Sequence, residues 1–255
     1  MTQITPKVYS IEGITHPDPR AKVFPYLFVE DQDNLTLIDP SFLSQLPILE
    51  NYLLDVGYDI KNVKRIILTH VHVDHSQAAN ELKKRSGAKI YSHWIESQYL
   101  SHNPIYQGPP TTQETVDKLE KLGVSMKALI KEYGSLEVEP ISVDEIVSDG
   151  DMIGSLKVIH TPGHTPGHIS LYYEKDKLLL GADSIYKHVF GAEGMYISAP
   201  QVSIDPVTAI VSAQRLSKVN FDKLLMAHQD SPLLEGAKGA VEKLVAESIQ
   251  KLETN

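Results

Sequence analysis

Four short apolar runs in this chain each stop on a side chain that can bind a metal ion: NLTLID on Asp39, RIILTH on His70, KLLLGAD on Asp183 and KLLMAH on His228. Runs of this length and composition read as buried strands, and such a strand delivers the polar residue that follows it to an edge of its sheet. Two of the runs lie in the N-terminal half and two in the C-terminal half, so the halves resemble one another. The pattern predicts two packed sheets with their polar residues gathered along one edge.

The rest of the chain reads as a mixture of strands and helices. VYSI, YLFVE, AKIYS, LKVIH and HISLYYE add strand-like runs, and helical periodicity recurs at 43–56, 75–85, 111–121, 126–133, 206–218 and 236–252. Asp205 before Pro206 marks a helix start, with a capping carboxylate and a proline suited to the first helical position. The class is therefore α/β or α+β, read as a single domain over 1–255. A helical insertion is expected at about 94–135, and its polar-faced part, 111–135, could act as a lid.

Composition narrows the chemistry. The chain has no cysteine, which excludes disulfides, thiolate nucleophiles and sulfur-bound metals, so any ion must be held by histidine and carboxylate. Net charge is −9 with scattered lysines, which argues against a nucleic-acid partner. No apolar run approaches the ~18 residues of a membrane span. The N-terminus lacks the pattern of a secretory signal, so the cytoplasm is the expected compartment. The expected partner is a small-molecule substrate, with a homodimer as a compatible assembly.

The densest cluster is HVHVDH, which places His70, His72, Asp74 and His75 directly after an apolar strand and before a helix. In extended backbone, His70 and His72 point the same way and can reach one ion. Asp74 and His75 are adjacent and project differently, which suits a second ion beside the first. The alternative, Asp74 as a helix cap and three surface histidines, leaves four ligand-type residues in six positions without a common purpose.

VIHTPGHTPGHIS spaces His160, His164 and His168 four apart, as a helical comb would, but Pro162, Gly163, Pro166 and Gly167 prohibit a regular helix. His160 closes one strand and His168 opens the next, which points to hydrogen-bonding support. His164 sits at the tip of a rigid turn and is the candidate ligand. Asp183 is a carboxylate delivered to a buried strand end, where a cation or hydrogen bonds would compensate its burial, and His228 has the same setting; taken singly each reads as a satisfied core polar residue, and taken with the HVHVDH cluster each reads as a ligand. Asp39 reads either as an acceptor that orients a ligand histidine or as a turn cap. His16, His93, His102 and His188 receive no role.

Taken in order, His70-x-His72-x-Asp74-His75, His164 in TPGHTPGH, Asp183 and His228 resemble the metallo-β-lactamase superfamily across nearly the whole chain. The resemblance implies a four-layer αββα sandwich with a metal site at one edge of its two sheets. It implies that His70, His72 and His164 hold one ion, that Asp74, His75 and His228 hold a second, and that Asp183 bridges them. Two divalent ions are expected, zinc first, with iron and manganese also compatible with these ligands.

Such a pair of ions, sharing a hydroxide, would hydrolyse a carbonyl ester, with Asp74 passing a proton to the leaving group. Tyr186, three residues after Asp183, is placed like a tyrosine of the acyl-homoserine lactone hydrolases in this superfamily, where the hydroxyl contacts the substrate carbonyl. Its similarity makes a lactone the expected substrate. The alternatives are a thioesterase of glyoxalase II type, a mononuclear iron persulfide dioxygenase and a non-catalytic metal-binding module. The chain has no cysteine and retains Asp183, so antibiotic hydrolysis is not the expected role. Trp94, Tyr99, Tyr106 and Tyr133 could line an acyl pocket.

Overall fold

The structure is a computed structural model that describes residues 1–11, 14–15, 22–31, 34–102, 139–187, 194–198, 203–228 and 233–254. Its first half comprises β1 (Thr2–Thr5), β2 (Val8–Ser10), β3 (Ile14–Thr15), β4 (Lys22–Val23), β5 (Tyr26–Asp31), β6 (Asn34–Ile38), α1 (Leu46–Asp55), β7 (Val63–Ile67), α2 (Val73–Ser76), α3 (Ala79–Ser86), β8 (Lys89–His93), α4 (Trp94–His102) and β9 (Glu145–Val147). The second half comprises β10 (Met152–Ile153), β11 (Leu156–His160), β12 (Ile169–Tyr173), β13 (Leu178–Ala182), β14 (Ile185–Lys187), β15 (Met195–Ile197), α5 (Pro206–Ser217), β16 (Lys223–Met226), β17 (Leu233–Leu234) and α6 (Ala237–Glu253).

Two large sheets result, one from each half. The first has seven strands in the order β1-β2-β5-β6-β7-β8-β9, and the second has six in the order β10-β11-β12-β13-β16-β17. Side-chain alternation assigns their faces. Along β5, Tyr26 and Phe28 join the core between the sheets, whereas Leu27 and Val29 join the core beneath α1 and α3. In the second sheet Leu178, Leu180 and Leu225 point to the shared core, while Leu179, Leu224 and Met226 pack with α5 and α6. Helix, sheet, sheet and helix thus form the four layers of the expected αββα sandwich. Phe28 and Tyr173 meet edge-to-face across the middle, with ring centroids 4.9 Å apart.

The topology explains why the ligand-type residues share an edge. β6, β7, β8 and β9 run parallel, and Ile38 of β6 pairs with Ile67 of β7, so Asp39 and His70 leave the sheet side by side. β13 and β16 are the parallel pair of the second sheet, and Ala182 pairs with Met226, which does the same for Asp183 and His228. Carboxyl ends of parallel strands are where open α/β sheets present binding groups.

Three local features differ from the sequence reading. The helix expected at 75–85 is divided into α2 and α3, because the backbone N–H of Ala78 donates to the carbonyl of Ser41 at 2.9 Å and draws this segment onto the loop after β6. The strand β7 stops at Ile67, so His70 and His72 lie in the connection beyond it and not in the strand, although His72 keeps extended angles of φ −56° and ψ 142°. Of the insertion expected at about 94–135, Trp94–His102 is helical and buries Leu100 in the core of the first sheet; residues 103–138, with the helices expected at 111–121 and 126–133, lie outside the described residues. The cap at Asp205 is formed as expected, its carboxylate accepting from the N–H groups of Val207 and Thr208. Among the described residues, no helix is long and apolar enough to cross a membrane.

Candidate metal centre

The turn after β7 brings its histidines together. Nε2 of His70 lies 3.1 Å from Nδ1 of His72. α2 then begins, and its first turn carries Asp74 and His75, with the N–H groups of His75 and Ser76 closing on the carbonyl of His72.

His164 arrives from the other sheet. Its turn joins β11 to β12 and is pinned to α5, with the N–H of Asp205 donating to the Gly163 carbonyl and the Ser212 hydroxyl to the Pro162 carbonyl. Gly163 has φ +133°, and a Cβ there would collide with the Ala209 backbone nitrogen, so only glycine permits this docking. The result places Nε2 of His164 3.0 Å from Nδ1 of His72. Three imidazole nitrogens therefore face one point. Their spacing is close to the edge of a tetrahedron with metal–nitrogen bonds of 2.0–2.1 Å, which is roughly 3.3 Å.

A second group forms beside the first. His75 Nε2 lies 3.1 Å from His228 Nε2, which in turn lies 3.3 Å from Asp74 Oδ2. Asp183 stands between the groups. Its Oδ2 is 3.7 Å from Nε2 of His70 and 3.2 Å from that of His164, and 3.6 and 3.5 Å from Nε2 of His75 and His228. Its Oδ1 is buried without a hydrogen-bond partner among the described residues. A buried carboxylate with one oxygen facing a ring of imidazoles and the other accepting no hydrogen bond among the described residues fits a cation.

The electrostatics agree with that fit. Burial drives His70 well below the ordinary histidine range and His72 to about 3, so both stay neutral with a lone pair available. Burial also opposes a proton on His228, but Asp183 and Asp74 outweigh it and raise this pKa to about 10. Burial disfavours the Asp183 carboxylate, yet the charges of His228 and His75 and hydrogen bonds from His164 and His228 hold it well below the ordinary range. The pocket is built to hold positive charge, and metal ions would replace protons in that role.

The supporting residues are ordered by the same geometry. Asp39 accepts from the Thr69 N–H at 2.8 Å and the Thr69 hydroxyl at 2.7 Å, and its Oδ2 lies 3.1 Å from Nδ1 of His75. In this bond the Nδ1–H of His75 donates to the Asp39 carboxylate and leaves Nε2 for the site, so Asp39 orients a ligand histidine. His168 is held by the Thr161 hydroxyl at Nδ1, 2.8 Å away, and accepts the Asp183 backbone N–H at Nε2, 3.2 Å away. His160 does not join the centre: its Nε2 reaches the Pro166 carbonyl, and its ring stacks on His93 at 4.1 Å. Tyr186 is buried, with its hydroxyl donating to Asp183 Oδ2 at 2.6 Å and its ring stacked 5.9 Å from that of His228.

Two polar residues at the centre have no counterpart in the sequence reading. Thr69 could have been singled out as the residue before His70. Glu96, which accepts backbone N–H groups from both ligand-bearing turns, carries no local signal, because an acidic residue in the first turn of a helix is ordinarily a surface residue. Trp94 and Tyr99 are partly exposed on α4, and His102 bonds within that helix. His16, His188, Tyr106 and Tyr133 lie outside the described residues.

The chain is similar to known proteins in sequence and in fold. The family model described as the metallo-beta-lactamase superfamily matches residues 23–224. The chain is 26% identical to the hydroxyacylglutathione hydrolase GloC of Haemophilus influenzae over 65% of this chain and 68% of that protein. It is 25% identical to an N-acyl homoserine lactonase of a Bacillus species over 66% of this chain and 56% of that protein. It spans about half the length of other curated relatives it matches. In fold it is similar to the metallo-beta-lactamase family protein TTHA1429 of Thermus thermophilus, with a TM-score of 0.70, 21% identity, and coverage of 99% of this chain and 82% of that one. A match over most of the chain, with its residues converging at one edge of two sheets, shows that the protein belongs to the metallo-beta-lactamase superfamily.

Proposed function

We propose that the protein is a metal-dependent hydrolase of carbonyl esters, with a lactone as its substrate class, working through two divalent ions. His70, His72 and His164 would hold one ion, Asp74, His75 and His228 the other, and Asp183 would bridge them. The observation that carries this reading is Asp183: one oxygen faces four imidazoles from both groups, and the other is buried without a partner among the described residues. When bound, two divalent ions lower the pKa of a shared water toward neutrality and polarise a carbonyl or leaving oxygen.

The chain's own residues supply the rest. Asp39 and His168 fix the direction of His75 and the backbone of Asp183, so ligand geometry is set before substrate arrives. Asp74, whose Oδ2 lies 3.3 Å from His228 Nε2, would carry a proton to the departing alkoxide. Tyr186 ends at the bridging carboxylate, from which its hydroxyl can turn to donate to a carbonyl oxygen.

The lactone is supported by Tyr186 and by the similarity to an N-acyl homoserine lactonase; the similarity to a hydroxyacylglutathione hydrolase supports a thioester as the second reading. Zinc fits the nitrogen and carboxylate donors, and iron and manganese remain compatible with them. The test is metal analysis of the purified protein, followed by kcat/KM for acyl-matched lactone, thioester, phosphodiester and β-lactam substrates. Two ions per chain and a lactone preference of about tenfold or more are expected. A faster thioester would replace the lactone reading, and a chain that binds no metal would end the hydrolase reading.

A further inference from the structure

Glu96 lies in the first turn of α4 and is fully buried. Its Oε2 accepts the backbone N–H of Val71 at 2.8 Å, between His70 and His72. Its Oε1 accepts the backbone N–H of Gly167 at 2.7 Å, between His164 and His168. One carboxylate therefore joins the two turns that supply the first group of histidines, although these turns come from different sheets. Burial pushes the Glu96 pKa up to about 7 against the pull of the Thr165 side chain and of the hydrogen bonds from the Gly167 and Val71 N–H groups.

Burying a carboxylate is costly, and nearby residues are shaped to accept it. A Cβ on Gly167 would stand 2.9 Å from Glu96 Oε1 and 2.8 Å from its backbone nitrogen, so the approach requires glycine. A glutamine would offer one acceptor oxygen and turn an NH2 group toward the second N–H. Only an acid with two accepting oxygens satisfies both turns.

We propose that Glu96 is a positioning residue that sets the reach between the His70–His72 turn and His164, and so governs metal affinity at that group of three histidines. His72 Nδ1 is the atom that feels this clamp, because it is 3.1 Å from His70 on its own turn and 3.0 Å from His164 across the gap. The second group has an anchor of its own in Asp39, which holds His75 and is held by Thr69, while the Thr69 hydroxyl also reaches Nδ1 of His70 at 3.0 Å; Glu96 bonds no residue of that anchor. Glu96 therefore acts on one site far more than on the other. This inference rests on the two-ion reading above.

The experiment is stepwise cobalt(II) titration of the stripped full-length protein against a chromophoric chelator, read by affinity and by the visible cobalt bands. H164A and H228A identify which step belongs to which group. E96Q should weaken the His164 step about 10- to 100-fold and leave the His228 step within about threefold. G167A, which pushes a methyl group into Glu96, should show the same selectivity and serves if E96Q does not fold. A residue that merely supports the fold would lower the melting temperature of the metal-free protein and leave the ratio of the two affinities alone. A folded E96Q or G167A with both steps unchanged, or both weakened equally, would overturn the proposal. Wild-type protein that binds no cobalt would overturn this proposal together with the two-ion reading, whereas normal wild-type binding with an indifferent E96Q sinks the Glu96 role alone.

Discussion

The hydroxyl of Tyr186 donates to Oδ2 of Asp183 at 2.6 Å, and the same oxygen faces four imidazole nitrogens. A tyrosine so placed aligns the carboxylate and lies within reach of anything bound to it. Y186F keeps the buried ring and removes only the donor. The expected outcome is a fall in kcat of roughly 10- to 100-fold on a lactone, with metal content retained. An unchanged kcat would remove Tyr186 from the reaction.

Asp183 itself is the stricter test of the bridge. D183N preserves shape but deletes the charge shared by the two groups. One ion per chain should be lost, and kcat/KM should fall on the order of 100-fold or more. Metal analysis and steady-state rates on the same preparation check both. Two ions retained with near wild-type turnover would show that Asp183 does not bridge.

His168 should act through the backbone of Asp183. Replacing it with alanine leaves the Asp183 N–H and the Thr161 hydroxyl without their imidazole partner in a fully buried setting. Each such loss costs about 1–3 kcal/mol, so urea unfolding of the metal-free protein should shift by that order. Metal affinity measured by chelator competition should weaken about tenfold. A variant with wild-type values in both would make His168 a bystander.

The His93–His160 stack predicts a pH effect away from the centre. Burial, with the His160 ring against it, lowers the His93 pKa from 6.5 to about 4, so the native state favours neutral His93. The unfolded chain binds this proton more readily, and stability present above pH 6.5 should be lost progressively as pH falls toward about 4. H93Q removes this titration, so the difference in melting temperature between wild type and H93Q should change across that window and level off above it. A difference independent of pH would refute the assignment.

Much of the centre is legible in the sequence. Each of the four apolar runs does end within three residues of the residue it was expected to deliver, and Pro162 and Gly163 do abolish the helical comb that the spacing of His160, His164 and His168 suggests. These are local matters of strand periodicity and of what proline and glycine permit. Asp39 is legible as a polar strand end that could orient a ligand histidine, but the choice of His75, 36 residues away, is not. Glu96 is not legible at all, because its partners at Val71 and Gly167 are 25 and 71 residues distant.

By itself the sequence determined which side chains stand at strand ends, since backbone geometry and nearest neighbours govern that choice. Only the tertiary structure decided that His72 meets His164 across 92 residues, that Asp183 stands between two groups, and that one buried acid joins both turns. Those distances follow from how two sheets pack and how parallel strands come into register. No run of adjacent residues specifies either one.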